Sequence, residues 1–133
     1  MDDASRFQEI VSDYVSEAKR GRFEKAYDGL IDMTPGIIPF IENAYVAEKN
    51  ADIRVMLLEV LFEFRSKSSI GLLETALSDP CSEVWKKSLD VLVTISGHES
   101  LAALERSLAS LGGRDRQRKE WIEEAIEQVR DSL

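Results

Sequence analysis

Carboxylates are numerous in this chain, so counting does not exclude a hydrolase built on two of them, but histidine and cysteine are scarce. His98 is the only histidine and Cys81 the only cysteine among 133 residues. A Ser-His-Asp or Cys-His arrangement would have to be centred on a residue that no motif supports. His98 lies in the segment Gly97-His98-Glu99-Ser100, which is typical of a turn between helices. One histidine and one cysteine cannot form a conventional zinc site. We therefore expect no catalytic residue, no metal site and no cofactor site.

The acidic residues are more informative, because they recur at a regular spacing. Glu74 and Glu105 are 31 residues apart, and Glu42 precedes Glu74 by 32. A second series has two steps of 31 and a final step of 34; its members are Asp28, Glu59, Asp90 and Glu124. Two interpretations are open. These are solvent-facing positions of a structural repeat that accept acids, or they form an acidic ridge that recognises a partner.

A basic cluster begins the last expected helix. Its members are Arg114, Arg116, Arg118 and Lys119. Positive charge at a helix N-terminus opposes the helix dipole, and such local misfits sometimes mark function. The cluster is either a solvated loop and capping turn or a contact for an anion or an acidic partner.

Helices must position these side chains, because apolar residues recur at helical spacing along most of the chain and strand-like alternation is absent. Eight helices are expected, at about residues 3–19, 22–33, 36–47, 53–65, 68–78, 83–96, 99–110 and 115–131. The residues expected to cap or open the third, fourth and sixth helices are Thr34-Pro35, Asp52 and Ser82. Their short connections predict antiparallel neighbours.

A shift of the chain by 31 residues superposes apolar positions over two helices and the loop between them. Ile53, Leu58, Leu61, Ile70, Leu73 and Leu77 become Val84, Leu89, Leu92, Leu101, Leu104 and Leu108. A period in the low thirties is typical of stacked helical hairpins. We therefore predict one domain, 1–133, with repeats at 22–48, 49–79 and 80–111 and capping helices at 1–20 and 114–133.

Residues 79–92 (DPCSEVWKKSLDVL) and 50–55 (NADIRV) resemble the HEAT-like repeat of the phycobilisome-lyase type. That pattern has an aspartate turn, an apolar residue followed by arginine, then a small residue and a leucine ladder. Ile53-Arg54 matches the apolar-arginine step, whereas Val84-Trp85 departs from it and Leu57 is larger than the usual small residue. The resemblance covers about residues 22–130. It implies an all-α fold, a short right-handed α-solenoid of about eight helices stacked as antiparallel hairpins, and a binding scaffold.

Two aromatic residues are candidates for contacts with a partner. Trp85 occupies the arginine position of the repeat, where a partly exposed tryptophan would be an anchor for a partner. Tyr45 is expected on the third helix beside Glu42. A core position is the alternative for both, and Trp121 is expected to be an ordinary core residue at the C-terminal end.

The net charge of −8 disfavours nucleic acid as a ligand, because phosphate binding needs a clustered positive surface. It is compatible with a basic protein partner. A single cysteine fits a reducing compartment, and neither a secretory leader nor an apolar run long enough for a membrane helix is present, so we expect a cytoplasmic protein.

The function that these observations favour is a non-catalytic protein–protein interaction module, of which a small inhibitor or immunity protein is one specific version. The partner-binding candidates are Glu42, Tyr45, Glu74, Trp85 and Glu105. The alternative is an enzyme or enzyme accessory, because HEAT-like folds also host bilin lyases and DNA-base glycosylases. A glycosylase is expected to have a cationic groove and more repeats, and a bilin lyase to be longer.

Overall fold

The computed structural model describes residues 2–133, and over these residues it contains helices and no β-strand. The α-helices are α1 (Asp3–Lys19), α2 (Phe23–Ile31), α3 (Ile38–Ala47), α4 (Ala51–Phe64), α5 (Ile70–Ala76), α6 (Ser82–Ile95), α7 (Gly97–Leu111) and α8 (Arg116–Asp131). Single 3₁₀ turns, Pro35–Ile37 and Lys67–Ser69, precede α3 and α5. The predicted all-α class is confirmed. In the described part of the chain, no helix combines the length and the apolar character that crossing a membrane requires.

Two of the predicted helix caps, those of α4 and α6, differ from the structure. Asn50, not Asp52, caps α4: its Oδ1 accepts the N–H groups of Asp52 and Ile53 at 2.9 and 3.2 Å. Cys81 is the N-cap of α6 and makes no side-chain cap hydrogen bond, so Ser82 already lies inside the helix. The side-chain hydrogen bond near the start of α6 is made by Asp79 in the preceding turn, where Asp79 Oδ1 accepts the Cys81 N–H at 2.9 Å. Aspartate and asparagine side chains readily accept hydrogen bonds from nearby main-chain N–H groups. Several such residues before a helix therefore compete to be its cap.

The described residues form two compact units, one that ends at Phe64 and one that comprises Arg65–Leu133. In the first unit, α1 packs against α2 and α3, and α4 packs against the same two helices. In the second unit, α5 packs against α6 and α7, and α8 packs against the same two. Each unit is therefore a four-helix arrangement with the same pattern of neighbours. The predicted repeat 49–79 has its first helix in the first unit and its second helix in the second.

The hydrophobic core coincides with the positions that the 31-residue shift selects. Ten of those twelve apolar residues are buried, and the two that are half-buried, Leu101 and Leu108, both lie on α7. Leu61 on α4 and Leu92 on α6, which the shift makes equivalent, are both fully buried. The apolar period therefore identified the inward faces of the helices. The continuous stacking of the repeats as one solenoid stays a prediction.

Candidate functional site

The two aromatic candidates, Tyr45 and Trp85, are buried, at 6% and 2% exposure. Both side chains therefore occupy core positions, and Trp85 is not an exposed anchor. Helix α8 packs against α6 and brings Trp121 edge-on to the Trp85 ring, with centroids 5.9 Å apart and planes at 86°. Arg118 lies over the same ring, 5.0 Å from its centroid. Trp121 was expected to be an ordinary core residue, and that prediction is wrong, because its side chain is 41% exposed.

Two of the three glutamates of the predicted acidic ridge lie in the second unit, and both form ion pairs with arginines. Glu74 is half-buried on α5 and accepts hydrogen bonds from Arg106 Nε and Nη2 on α7, at 3.1 and 2.7 Å. Hydrogen bonding to Glu74 raises the pKa of Arg106, which stays charged. Glu105 is exposed on α7 and lies 3.4 Å from Arg130 Nη2 on α8. These carboxylates therefore connect neighbouring helices.

The other predicted acidic positions lie mostly at the surface of their own unit. Glu42 is half-buried on α3 in the first unit. In the second series, three members are exposed and Glu59 is half-buried; the exposed ones are Asp28, Asp90 and Glu124. The structure is thus compatible with solvent-facing repeat positions. Recognition of a partner by an acidic ridge stays a prediction.

An opening in the second unit lies between α5 and α7, and we name it the α5–α7 groove. It consists of two adjoining clefts of about 440 and 380 Å³ that share Ser78, Ser107 and Ser110. The first cleft is also lined by Gly71, Glu74 and Thr75. Most of the residues that line the first cleft have small side chains. Of the predicted partner-binding residues, only Glu74 lines the groove.

The second cleft is bounded by the turn between α7 and α8, where Arg114, Asp115 and Arg118 meet three apolar residues. Those apolar residues are Leu77, Leu111 and Ile122. Gly112, with φ +62°, ends α7, and Asp115, with φ +49°, is the N-cap of α8. Its carboxylate accepts both the backbone N–H and the Nε–H of Arg118, each at 3.1 Å. We refer to Arg114, Asp115 and Arg118 as the basic end of the groove.

The arginines of the basic end are held by main-chain carbonyls of other helices. Arg118 Nη1 donates to the carbonyl of Leu77, just after α5, at 2.9 Å. Arg114 donates to the carbonyls of Ser110 and Leu111 at the end of α7, at 2.9 and 3.2 Å. Positive charge is favourable at a helix C-terminus. Positive charge at the start of α8 is unfavourable for the dipole of that helix. For Arg114 and Arg118 this is offset, because their guanidinium groups hydrogen-bond the carbonyls at the C-terminal ends of α7 and α5.

The remaining members of the basic cluster are different. Arg116 pairs with Glu120 at 3.3 Å and its side chain is 92% exposed, and Lys119 is exposed as well. Neither residue lines the groove. The predicted cluster therefore divides into two anchored arginines that line a cleft and two basic residues that face solvent.

A smaller counterpart of the groove lies in the first unit between α1 and α3. These two helices pack against each other, as α5 and α7 do in the second unit. This cleft of about 360 Å³ is lined by Val11, Val15, Phe40 and Ala44, with polar residues at its margin. Lys19 and Glu48, also among its lining residues, lie 3.7 Å apart. The paired arginines are a feature of the α5–α7 groove and have no equivalent among the residues that line this cleft.

Sequence reasoning missed the hydroxyl residues of the groove, although a signal for them exists. Thr75 on α5 and Ser78 just after it are followed 32 residues later by Ser107 and Ser110 on α7. A spacing one residue longer than the 31-residue repeat thus also relates small polar residues on α5 and α7. Only the packing of α5 against α7 shows that these four residues share one surface.

No protein-family model matches this chain, and a search of curated proteins finds no significant relative. The functional argument therefore depends on what the groove can do chemically. Hydroxyl groups both donate and accept hydrogen bonds, and arginine is a multiple donor. Together with the apolar residues beside Arg118, these groups suit a polypeptide segment, whose backbone needs both kinds of partner.

Proposed function

We propose that this protein is a non-catalytic protein-binding module that holds a segment of its partner in the α5–α7 groove. The observation that carries the proposal is the groove itself. Its two clefts join through three shared serines and are open to solvent, with an ion pair at one end and two anchored arginines at the other. An elongated polar opening with apolar residues at one end fits a peptide chain.

Contacts between the helices that form the walls support this proposal. Arg106 and Glu74 connect α7 to α5 beside the first cleft, and Arg118 connects α8 to the end of α5 beside the second. A preformed groove binds with a smaller loss of conformational entropy than one that must be ordered on binding. The partner is therefore proposed to dock onto an existing surface.

The proposal includes a HEAT-like repeat fold. It is supported by apolar positions that recur every 31 residues and are mostly buried. A cytoplasmic location is part of the same proposal, and a free Cys81 fits a reducing compartment. A small inhibitor or immunity protein is one form that such a module takes. The proposal does not depend on the charge of the partner, because Glu74 and Glu105 are already paired with arginines.

Two tryptophan substitutions on α7, at small residues two positions apart, test the proposal. Ser107 lines both clefts, whereas Ala109 is exposed on the same helix and lines neither. We expect Ser107→Trp to fill the groove and Ala109→Trp to leave it open. The wild-type protein and both variants would be immobilised and used for affinity capture from the source organism, followed by mass spectrometry.

The supporting result is a partner that the wild type and Ala109→Trp retain and that Ser107→Trp loses. Circular dichroism and thermal melting of both variants would show that the fold is intact. A partner that all three proteins capture equally would contradict binding in the α5–α7 groove. This comparison separates loss of the groove from the general effect of adding a tryptophan to α7.

A further inference from the structure

The basic end of the α5–α7 groove has two guanidinium groups that donate to main-chain carbonyls, one of exposed Arg114 and one of half-buried Arg118. Each uses its Nε and one terminal nitrogen for the hydrogen bonds described above. An arginine side chain has five N–H donors. The second terminal nitrogen of each, Nη1 of Arg114 and Nη2 of Arg118, donates to no partner within residues 2–133. Both residues line the same cleft, so it has unused cationic donors.

Packing against an aromatic ring further restrains Arg118. Its guanidinium carbon lies 5.0 Å from the centroid of buried Trp85, and its side chain is only 13% exposed. The cation–π contact and the hydrogen bond to the Leu77 carbonyl hold the group in one orientation. A guanidinium that is already ordered loses little entropy when it binds an anion, because most of that cost was met on folding.

We propose that this cleft binds a carboxylate, namely that of the C-terminal residue of the partner polypeptide. The inference rests on the proposed function and names what occupies one end of the groove. One terminal nitrogen remains on each arginine, so the two carboxylate oxygens would accept charge-assisted hydrogen bonds from both guanidinium groups rather than a paired bond from one. The cleft has a partner for each part of one C-terminal amino acid. The arginines would bind its carboxylate, the serines would hydrogen-bond its main-chain amide, and the apolar residues would contact an apolar side chain.

Charge favours a carboxylate over a phosphate. Arg114 and Arg118 contribute two positive charges and Asp115 one negative charge, so the basic end has a net charge of +1. The Asp115 carboxylate lies 3.1 Å from Arg118 Nε, where it would repel a second anion. A phosphate monoester carries about −1.5 to −2 charges at pH 7 and meets more of this repulsion than a carboxylate does.

Volume and apolar lining favour a chain terminus with an apolar side chain. The cleft measures about 380 Å³, and Leu77, Leu111 and Ile122 lie on its walls. Leu111 is half-buried, so part of its apolar surface is available for contact. Burial of an apolar side chain there adds a hydrophobic contribution to the charge-assisted hydrogen bonds.

N-acetyl-leucine is a direct probe of this inference, because it carries the amide, side chain and carboxylate of a C-terminal residue. N-acetyl-leucinamide is the matched control without the negative charge. Each would be titrated to tens of millimolar into the ¹⁵N-labelled protein, with the backbone signals of Ser78, Ser107 and Ser110 and the Nε signals of Arg114 and Arg118 followed by NMR. We expect saturable shifts with the acid and binding weaker by roughly tenfold with the amide.

A pair of charge-matched variants separates the cleft from the general field of the protein. Arg114→Gln removes a guanidinium from the cleft, and Arg116→Gln removes one that faces solvent two residues away. Both change the net charge from −8 to −9. We expect Arg114→Gln to weaken binding of N-acetyl-leucine by roughly tenfold, and Arg116→Gln to alter it by less than about twofold, because salt screens distant charges.

Three outcomes would overturn the carboxylate site: equal binding of the acid and the amide, equal effects of the two arginine variants, or no saturable shift with N-acetyl-leucine. Stronger binding of inorganic phosphate at the same signals would overturn the preference for a carboxylate. These results are independent of partner capture. If Ser107→Trp abolishes capture while the acid and the amide bind equally, the groove still binds protein and only the carboxylate inference fails.

Discussion

The Glu74 carboxylate on α5 accepts two hydrogen bonds from the Arg106 guanidinium group on α7, and so joins the two walls of the α5–α7 groove. The geometry is bidentate, which fixes orientation as well as distance. The side chains are 28% and 61% exposed, so water screens their attraction. We interpret the pair as a device that sets the position of the groove walls and contributes little to overall stability.

A double-mutant cycle with Glu74→Gln and Arg106→Gln tests this interpretation. We expect each single variant to fold normally and the pair to show a small favourable coupling in urea unfolding. That coupling should decrease when salt is raised to about 1 M, because the screening length falls to about 3 Å. A large coupling that persists in high salt would contradict a solvent-screened ion pair.

The core prediction concerns Leu61 and Leu92, which the 31-residue shift makes equivalent and which are both fully buried. Truncation of either to alanine should lower the free energy of unfolding by about 2–5 kcal/mol, through lost burial and the cavity left behind. Leu101→Ala is the control, because Leu101 belongs to the same series but is only half-buried. Equal losses of unfolding free energy in Leu101→Ala and Leu92→Ala would contradict the difference in burial between these two residues.

The periodic part of the fold could be predicted from sequence, because an inward helix face needs apolar residues wherever it recurs. That is why shifting Leu61 onto Leu92 located the core. The same argument placed Glu74 and Glu105 at equivalent positions, but their arginine partners depend on side-chain reach between helices. Arg106 lies 32 residues from Glu74 and Arg130 lies 25 residues from Glu105, so no single period links the pairs.

The basic end shows why the site itself was not predictable. Arg118 was interpreted from its position at the start of α8, yet its guanidinium group reaches the Leu77 carbonyl, 41 residues away in sequence. Which tryptophan is covered depends in the same way on how α8 packs against α6. Local patterns describe a helix and its ends, whereas contacts between helices follow from packing that no local pattern contains.

We expect removal of the hydroxyl group to have opposite effects on the free energy of unfolding at two buried serines. Ser88 Oγ donates to the Leu73 carbonyl at 2.6 Å, whereas Ser100 Oγ has no hydrogen-bond partner within residues 2–133. Both side chains are fully buried. Ser88→Ala should reduce the free energy of unfolding by about 1 kcal/mol, and Ser100→Ala should leave it unchanged or raise it, because an unsatisfied buried hydroxyl is costly. Equal destabilisation in urea unfolding would contradict these assignments.

Two helical glycines form a second matched pair. A methyl group on Gly29 in α2 would overlap the Tyr14 ring of α1, whereas one on Gly71 in α5 would meet no atom within 4 Å. Gly71→Ala should therefore stabilise the protein by up to about 1 kcal/mol through helix propensity. Gly29→Ala should instead destabilise it by about 1–3 kcal/mol, because the ring must move. Thermal and urea unfolding of both variants would measure the difference, and stabilisation by both would show that α1 and α2 pack more loosely than the structure indicates.

The opposite environments of the two tryptophans can be measured by fluorescence. Trp85 is 2% exposed and packs against Arg118, whereas Trp121 is 41% exposed with Lys86 Nζ 4.7 Å from its ring centroid. Each would be replaced by phenylalanine, which keeps much of the aromatic packing and leaves one tryptophan, to be excited selectively over the three tyrosines. In Trp121→Phe the remaining emission should be blue-shifted and poorly quenched by acrylamide, because Trp85 is excluded from water. In Trp85→Phe the remaining emission should be red-shifted and quenched efficiently. Circular dichroism would confirm that both variants are folded, and the reverse order of quenching would restore Trp85 as an exposed anchor and contradict the packing of α8 against α6.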